Sequence, residues 1–202
     1  MTKNTDSSTL MTAIKSGNLE DVTSLIQNGV DVHLAFPHGV TPLFASAQNG
    51  NLEILNFLIG KGTHINQGTL DGQTPLFIAV QQGNIGIVMA LLEKGAAVDQ
   101  AMLGGITPLI VALNKGYISI ARLLIENGAD VNHVMDLGYS PLLFACLHGD
   151  LEAVKLLLET PGIDINKVDH DGRTSLSIAK TQGHIEIVKL LETPAHKAPY
   201  VG

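Results

Sequence analysis

The sequence has a single cysteine, no tryptophan, and aromatic residues at only 4%. One cysteine, Cys146, excludes an intrachain disulfide and leaves no second thiol for a zinc site. Its setting among small apolar residues predicts a packing role. With so few rings, a core has to be built from Ala, Leu, Ile and Val. Cations are scarce too: 12 Lys and Arg stand against 19 Asp and Glu, giving a net charge of −7, and no basic run occurs. Phosphate binding needs clustered cations, so nucleic acid and acidic membrane surfaces are not expected partners. No apolar stretch approaches the roughly 20 residues needed to span a bilayer. The beginning, Met1 to Ser8, is polar and has no signal-peptide hydrophobic region. These absences predict a soluble, cytoplasmic protein. A secreted effector delivered into a host cytosol has the same features.

What the sequence does have is a period. Gly39-Val-Thr-Pro-Leu43 returns as Gly72-Gln-Thr-Pro-Leu76, Gly105-Ile-Thr-Pro-Leu109, Gly138-Tyr-Ser-Pro-Leu142 and Gly172-Arg-Thr-Ser-Leu176. The steps are 33, 33, 33 and 34 residues, which means stacked small units and not one globular core. In each unit a Thr or Ser suits an N-cap, and the following Pro suits the first helical position, where its missing N–H costs nothing. Two short apolar helices follow, separated by Gly83 and its equivalents and closed by Gly95 and its equivalents. Turn positions of this kind take up 16 of the 21 glycines, so a phosphate-cradling loop is not needed to explain them. The extra residue of the 34-residue step falls in Glu159-Thr-Pro-Gly162, a surface loop where an insertion costs little.

The unit, with its Gly-Ala-Asp-Val-Asn close at Gly128 to Asn132, resembles the ankyrin repeat over Ser8 to Glu192. The resemblance implies an all-α solenoid of stacked helix-turn-helix units with protruding hairpin loops, or fingers. The expected organisation is a disordered N-terminus (1–7), an N-terminal cap (8–38), and repeats 39–71, 72–104, 105–137 and 138–171. A C-terminal cap (172–192) and a flexible tail (193–202) follow. Ser175, Ser177 and Lys180 give the last repeat an outer face that suits solvent.

No catalytic arrangement rises above this framework. The eight histidines form no metal-binding spacing. His148 and His170 are a candidate pair across adjacent repeats, with two solvated rings as the plainer reading. Asp31, Asp99, Asp130 and Asp164 follow the second helices, and recurrence marks a loop-tying role for them. No Ser or Cys has a paired base at a recognisable spacing. The expectation is no enzyme, no metal and no cofactor.

Members of the resembled family generally bind other proteins through the fingers and the face formed by the first helices. The finger position that is often Asp in that family is Phe36, Thr69, Met102 and Met135 here, with Asp169 in the last repeat. Phe36, Met102 and Met135, together with Val40, Leu70, Leu103, Ile106, Leu137 and Tyr139, predict an exposed apolar strip, while the last finger is polar. Folding back of these side chains against neighbouring fingers is the competing reading. The first-helix ends, Gln48, Asn49, Gln81, Gln82, Asn114, Lys115, Leu147 and His148, form an amide-rich row able to hydrogen-bond a partner, or else an ordinary solvated face. The expected function is a scaffold, adaptor or inhibitor that binds another protein, with the chain itself monomeric. Self-association through the same strip is the alternative.

Overall fold

A computed structural model of the chain describes residues 3–193, with side chains from residue 7 onward. Twelve α-helices and no β-strand occur among the described residues. The chain divides into two compact units, Met1–Leu103 and Gly104–Gly202.

The first unit holds three helix pairs: α1 (Lys3–Ser16) with α2 (Leu19–Gln27), α3 (Pro42–Gln48) with α4 (Leu52–Gly60), and α5 (Pro75–Gln81) with α6 (Ile85–Glu93). First helices pack on first helices, α1 on α3 on α5, and second helices pack in parallel order, α2 on α4 on α6. Leu10, Ile14, Leu43, Leu55, Leu58, Leu76, Ile87 and Leu91 are fully buried between them. The second unit repeats the plan with α7 (Pro108–Asn114) and α8 (Ile118–Glu126), α9 (Pro141–His148) and α10 (Leu151–Leu158), and α11 (Ser175–Gln182) and α12 (Ile185–Leu191). Its core is Leu109, Leu124, Leu142, Leu143, Val154, Leu157 and Ile178.

The local chemistry matches the repeat signature. Thr41, Thr74, Thr107, Ser140 and Thr174 each accept, through the side-chain oxygen, the N–H three residues on. This satisfies a donor that the helix itself leaves orphaned. Proline occupies the first helical position in α3, α5, α7 and α9. The turn glycines take positive φ, and Gly104 joins them.

Helix α1 begins at Lys3, upstream of Ser8 where the repeat pattern starts, so residues 3–7, expected to be disordered, are helical. Residues 1–2 lie outside the described part, as does the expected tail beyond Thr193.

The recurring aspartates divide into two registers. Asp31, Asp130 and Asp164 each accept a backbone N–H two residues on, from His33, Asn132 and Asn166. That local turn is the loop-tying role expected of them. Asp99 stands two positions later, in the slot of Asn66 and Asn132, which corrects its grouping with the other three. This second slot couples neighbouring repeats. Asn66 Oδ1 accepts from Ala97 N at 2.8 Å, and Asn132 takes the N–H of Asp164 while donating to the Gly162 carbonyl.

Cys146 is fully buried. Burial pushes its thiol up to about 12, against a smaller lowering by Ser175, so it is a packing residue without thiolate character at neutral pH.

Candidate interaction surface

Fingers one, two, four and five are closed five-residue turns. The N–H of its first residue donates to the carbonyl of its fifth: Phe36 to Val40, Thr69 to Gln73, Met135 to Tyr139, Asp169 to Arg173. The glycine in fourth place donates back to the first carbonyl, as in Gly138 to Met135 at 2.8 Å. First and fifth residues are therefore the stem, and the second and third are the tip. The tips of fingers one to three, and of finger four with Gly104, are joined by backbone bonds. In the first unit Leu70 N–H donates to His38 O and Leu103 N–H to Asp71 O, both at 2.9 Å. In the second, Asp136 N–H donates to Gly104 O at 3.1 Å.

Between fingers four and five this stacking leaves no room for a side chain at the fourth place. At Gly138 (φ +83°) an added Cβ would lie 2.9 Å from the His170 backbone nitrogen and 2.6 Å from its ring. Glycine is required there twice, by conformation and by contact.

The stem-and-tip division decides which of the expected strip residues face solvent. Leu70 is 78% exposed and Leu103 65% exposed in the first unit, and Leu137 is 72% exposed in the second. All three are tip residues. Phe36, Val40, Met102, Ile106 and Tyr139 are stem residues and half-buried. Met135 is a correction: expected to be exposed, it is 6% exposed. Its position is the base of the finger, where its N–H closes the hairpin on the Tyr139 carbonyl. Val134 (45% exposed) and Val168 (50% exposed), one residue before the base of fingers four and five, were not anticipated. Aligning the repeats one position upstream of the finger would have flagged both.

The last finger is polar and internally paired. Asp169 is buried, and its carboxylate accepts the Asp171 and Arg173 N–H groups and the Arg173 Nε at 2.8 Å. That guanidinium also reaches Asp171 and donates to the Tyr139 hydroxyl at 3.1 Å, tying finger five to finger four. The hydrogen bond from Arg173 holds the Asp169 carboxyl below the ordinary carboxylate range.

Along the first-helix ends Gln48, Asn49, Gln81, Gln82, Asn114, Lys115 and His148 are exposed and Leu147 is half-buried. Two of them fold back on their own helix. Asn49 Nδ2 donates to Ala45 O at 2.7 Å, and His148 Nδ1 donates to Phe144 O at 2.9 Å with its ring against Phe144. His148 and His170 are not brought together. His148 rests on Phe144 at the end of α9, while His170 sits over Gly138 at a finger tip. Among the described residues no group of three or more His, Cys, Asp and Glu is arranged to hold a metal ion. No described helix is long and apolar enough to cross a membrane.

A model of ankyrin repeats, in three copies, matches residues 2–69, 65–135 and 132–198. The chain belongs to the ankyrin repeat family. Its fold is that of the ankyrin repeat, all-α and built from stacked helix pairs. A solved ankyrin repeat domain from Acinetobacter baumannii AYE is 30% identical, with 90% of this chain and 95% of that one covered and a TM-score of 0.82. No curated protein sequence matches the chain. Ankyrin repeats are generally protein–protein interaction modules and typically non-catalytic.

Proposed function

We propose that this ankyrin repeat protein binds another protein through its finger tips, with the first-helix ends orienting the partner. One observation carries the reading: large leucines stand 65–78% exposed at the tips, at Leu70, Leu103 and Leu137. A leucine so placed contributes nothing to the core, and covering it with a partner's apolar surface stabilises a complex by about 1.5–3 kcal/mol per side chain. Backbone bonds between tips hold them in place, so little ordering cost falls due on binding. Val134 and Val168 extend the apolar surface in the second unit. The amide side chains of Gln48, Gln81, Gln82 and Asn114 can both donate to and accept from a partner. Non-catalytic binding as a monomer, in a cytosol, is the role this surface suits.

The test is capture with the immobilised intact chain, native against Leu70→Ser/Leu103→Ser and against Leu137→Ser. Proteins retained by the native chain and lost with the variants, at unchanged circular dichroism and melting temperature, support the reading. Undiminished capture by both variants argues against it. Sedimentation at micromolar concentration addresses self-association: a dimer that dissociates on the same substitutions would make the tips a contact between copies.

A further inference from the structure

At the junction of α7 and α9 a carboxylate occupies a slot that holds a hydrogen-bond donor at two other junctions. In the first unit Asn51 Nδ2 donates to the Ile14 carbonyl of the preceding first helix, 37 residues back. In the second unit His184 Nε2 does the same to the Leu147 carbonyl, again 37 residues back. The residue in this slot between α7 and α9 is Asp150, 37 residues after Leu113. An ionised carboxylate only accepts. It therefore cannot donate to the Leu113 carbonyl as Asn51 and His184 donate to theirs.

A cavity of about 190 Å³ opens at this place, lined by Leu113, Asn114, Phe144, His148 and Asp150, with Ala145 and Ala153. One Asp150 oxygen is used in capping α10, accepting Ala153 N–H at 3.0 Å. Among the described residues Asp150 has no ion-pair partner. His148 directs Nδ1 at the Phe144 carbonyl, which leaves Nε2 as the acceptor of the neutral ring. The Asn114 side chain offers a further carbonyl. The cavity is thus rich in acceptors and carries a carboxylate, with no cationic side chain of Lys or Arg in its lining.

We propose that this cavity receives the ammonium group of a partner protein's lysine. A lysine head is compact and brings three donors, matching the Asp150 carboxylate, the Leu113 carbonyl and an acceptor from Asn114 or His148. A partner contributing it would be basic at the contact, in keeping with a chain of net charge −7. Asn114 and His148 belong to the first-helix row already assigned to partner binding, so the inference rests on that reading and gives its partner a specific chemistry.

The experiment is an amide NMR titration of the intact chain with n-butylammonium chloride as a lysine side-chain probe. Sodium chloride, n-butanol and n-butylguanidinium chloride are run at equal concentration. The expected result is saturable shifts at Asn114, His148 and Asp150 with n-butylammonium, absent with sodium chloride and n-butanol and weaker with n-butylguanidinium. Asp150→Asn retains a capping side chain and restores the donor to Leu113. It should abolish these shifts while raising the melting temperature; Asp150→Ser, also a cap former, is the second variant should the first misfold. Absent shifts in the native chain, shifts that persist in both variants, or equal shifts with n-butanol would overturn the proposal. Stronger binding of n-butylguanidinium would overturn lysine in favour of arginine. The probe needs no partner, so the outcome is separate from that of the finger-tip reading. Loss of capture on substituting the tips alongside an inert cavity would remove this inference alone. Probe binding beside unaltered capture would remove the other.

Discussion

Fingers four and five share one backbone turn and fill its base in opposite ways. At the base of finger four Met135 is buried as an apolar plug, 6% exposed. At the base of finger five Asp169 is equally buried, at 5%, and is satisfied by two backbone N–H groups and the Arg173 guanidinium. The base must be filled, and either packing or charge-assisted bonding does it. The tips answer to no such demand. Leu137 and His170 project at the tips of the two fingers, and their chemistry is free to serve a partner.

The largest expected effect falls on the plug. Met135→Ala removes a buried side chain that nothing replaces, and should cost roughly 2–5 kcal/mol by cavity formation, read from urea unfolding. A cost near zero would mean that the finger base collapses freely and that the comparison with Asp169 is empty.

Glycine substitutions come next. Gly138→Ala and Gly172→Ala both force an alanine into positive φ, worth about 1–2 kcal/mol. Only at Gly138 does the new Cβ also meet a neighbouring backbone, that of His170, whereas nothing lies within 4 Å at Gly172. Gly138→Ala should therefore destabilise clearly more than Gly172→Ala in parallel thermal melts. Equal losses would show that finger five does not press on finger four.

The ionic base should show itself in pH. Asp169 titrates below its ordinary range in the folded state because Arg173 hydrogen-bonds its charged form. A carboxyl lowered on folding adds stability that is present above the unfolded value, near 4, and is lost as pH falls through the folded value. The stability gap between the native chain and Asp169→Asn should be full at neutral pH and shrink below about pH 4. Arg173 is half-exposed, so salt should narrow the gap as well. A gap constant from pH 7 to pH 2 would contradict the assignment.

The smallest effect belongs to the tip. Leu137→Ser should change stability by no more than about 0.5 kcal/mol, as differential scanning calorimetry would register. A larger loss would place Leu137 among the packed residues and not among those offered to a partner.

The framework was legible because each of its rules is local. A Thr-Pro pair caps and starts a helix, a glycine ends one, and five returns in register leave little freedom. Surface assignment was less legible, since it depends on a half-turn of a hairpin. The slot shared by Phe36, Thr69, Met102, Met135 and Asp169 reads as exposed in sequence because polar residues tolerate it. The burial of Met135 and Asp169 follows from hairpin closure, which sequence spacing does not display. The leucines at 70, 103 and 137 were read correctly as exposed. Val134 and Val168 precede the finger by one residue, outside the recurring motif, so the motif does not mark them. Asp99 shares its residue type with Asp31, Asp130 and Asp164 but stands two positions later in the repeat, a difference that residue type alone does not show. The vacancy at Asp150 becomes visible only when Asn51 and His184 are seen donating to the previous repeat. Carboxylate and amide look alike as turn residues and differ only in whether they can donate.

The central claim is that partner affinity resides in the exposed finger tips, and binding isotherms of a captured partner test it most directly. The partner's dissociation constant should rise by at least tenfold for Leu70→Ser/Leu103→Ser or for Leu137→Ser, as removal of a buried apolar anchor does. His170→Ser, in the polar fifth finger, should leave it within about twofold, less than 0.5 kcal/mol. Tip variants that bind as the native chain does, or a His170→Ser variant that loses the partner first, would contradict the account.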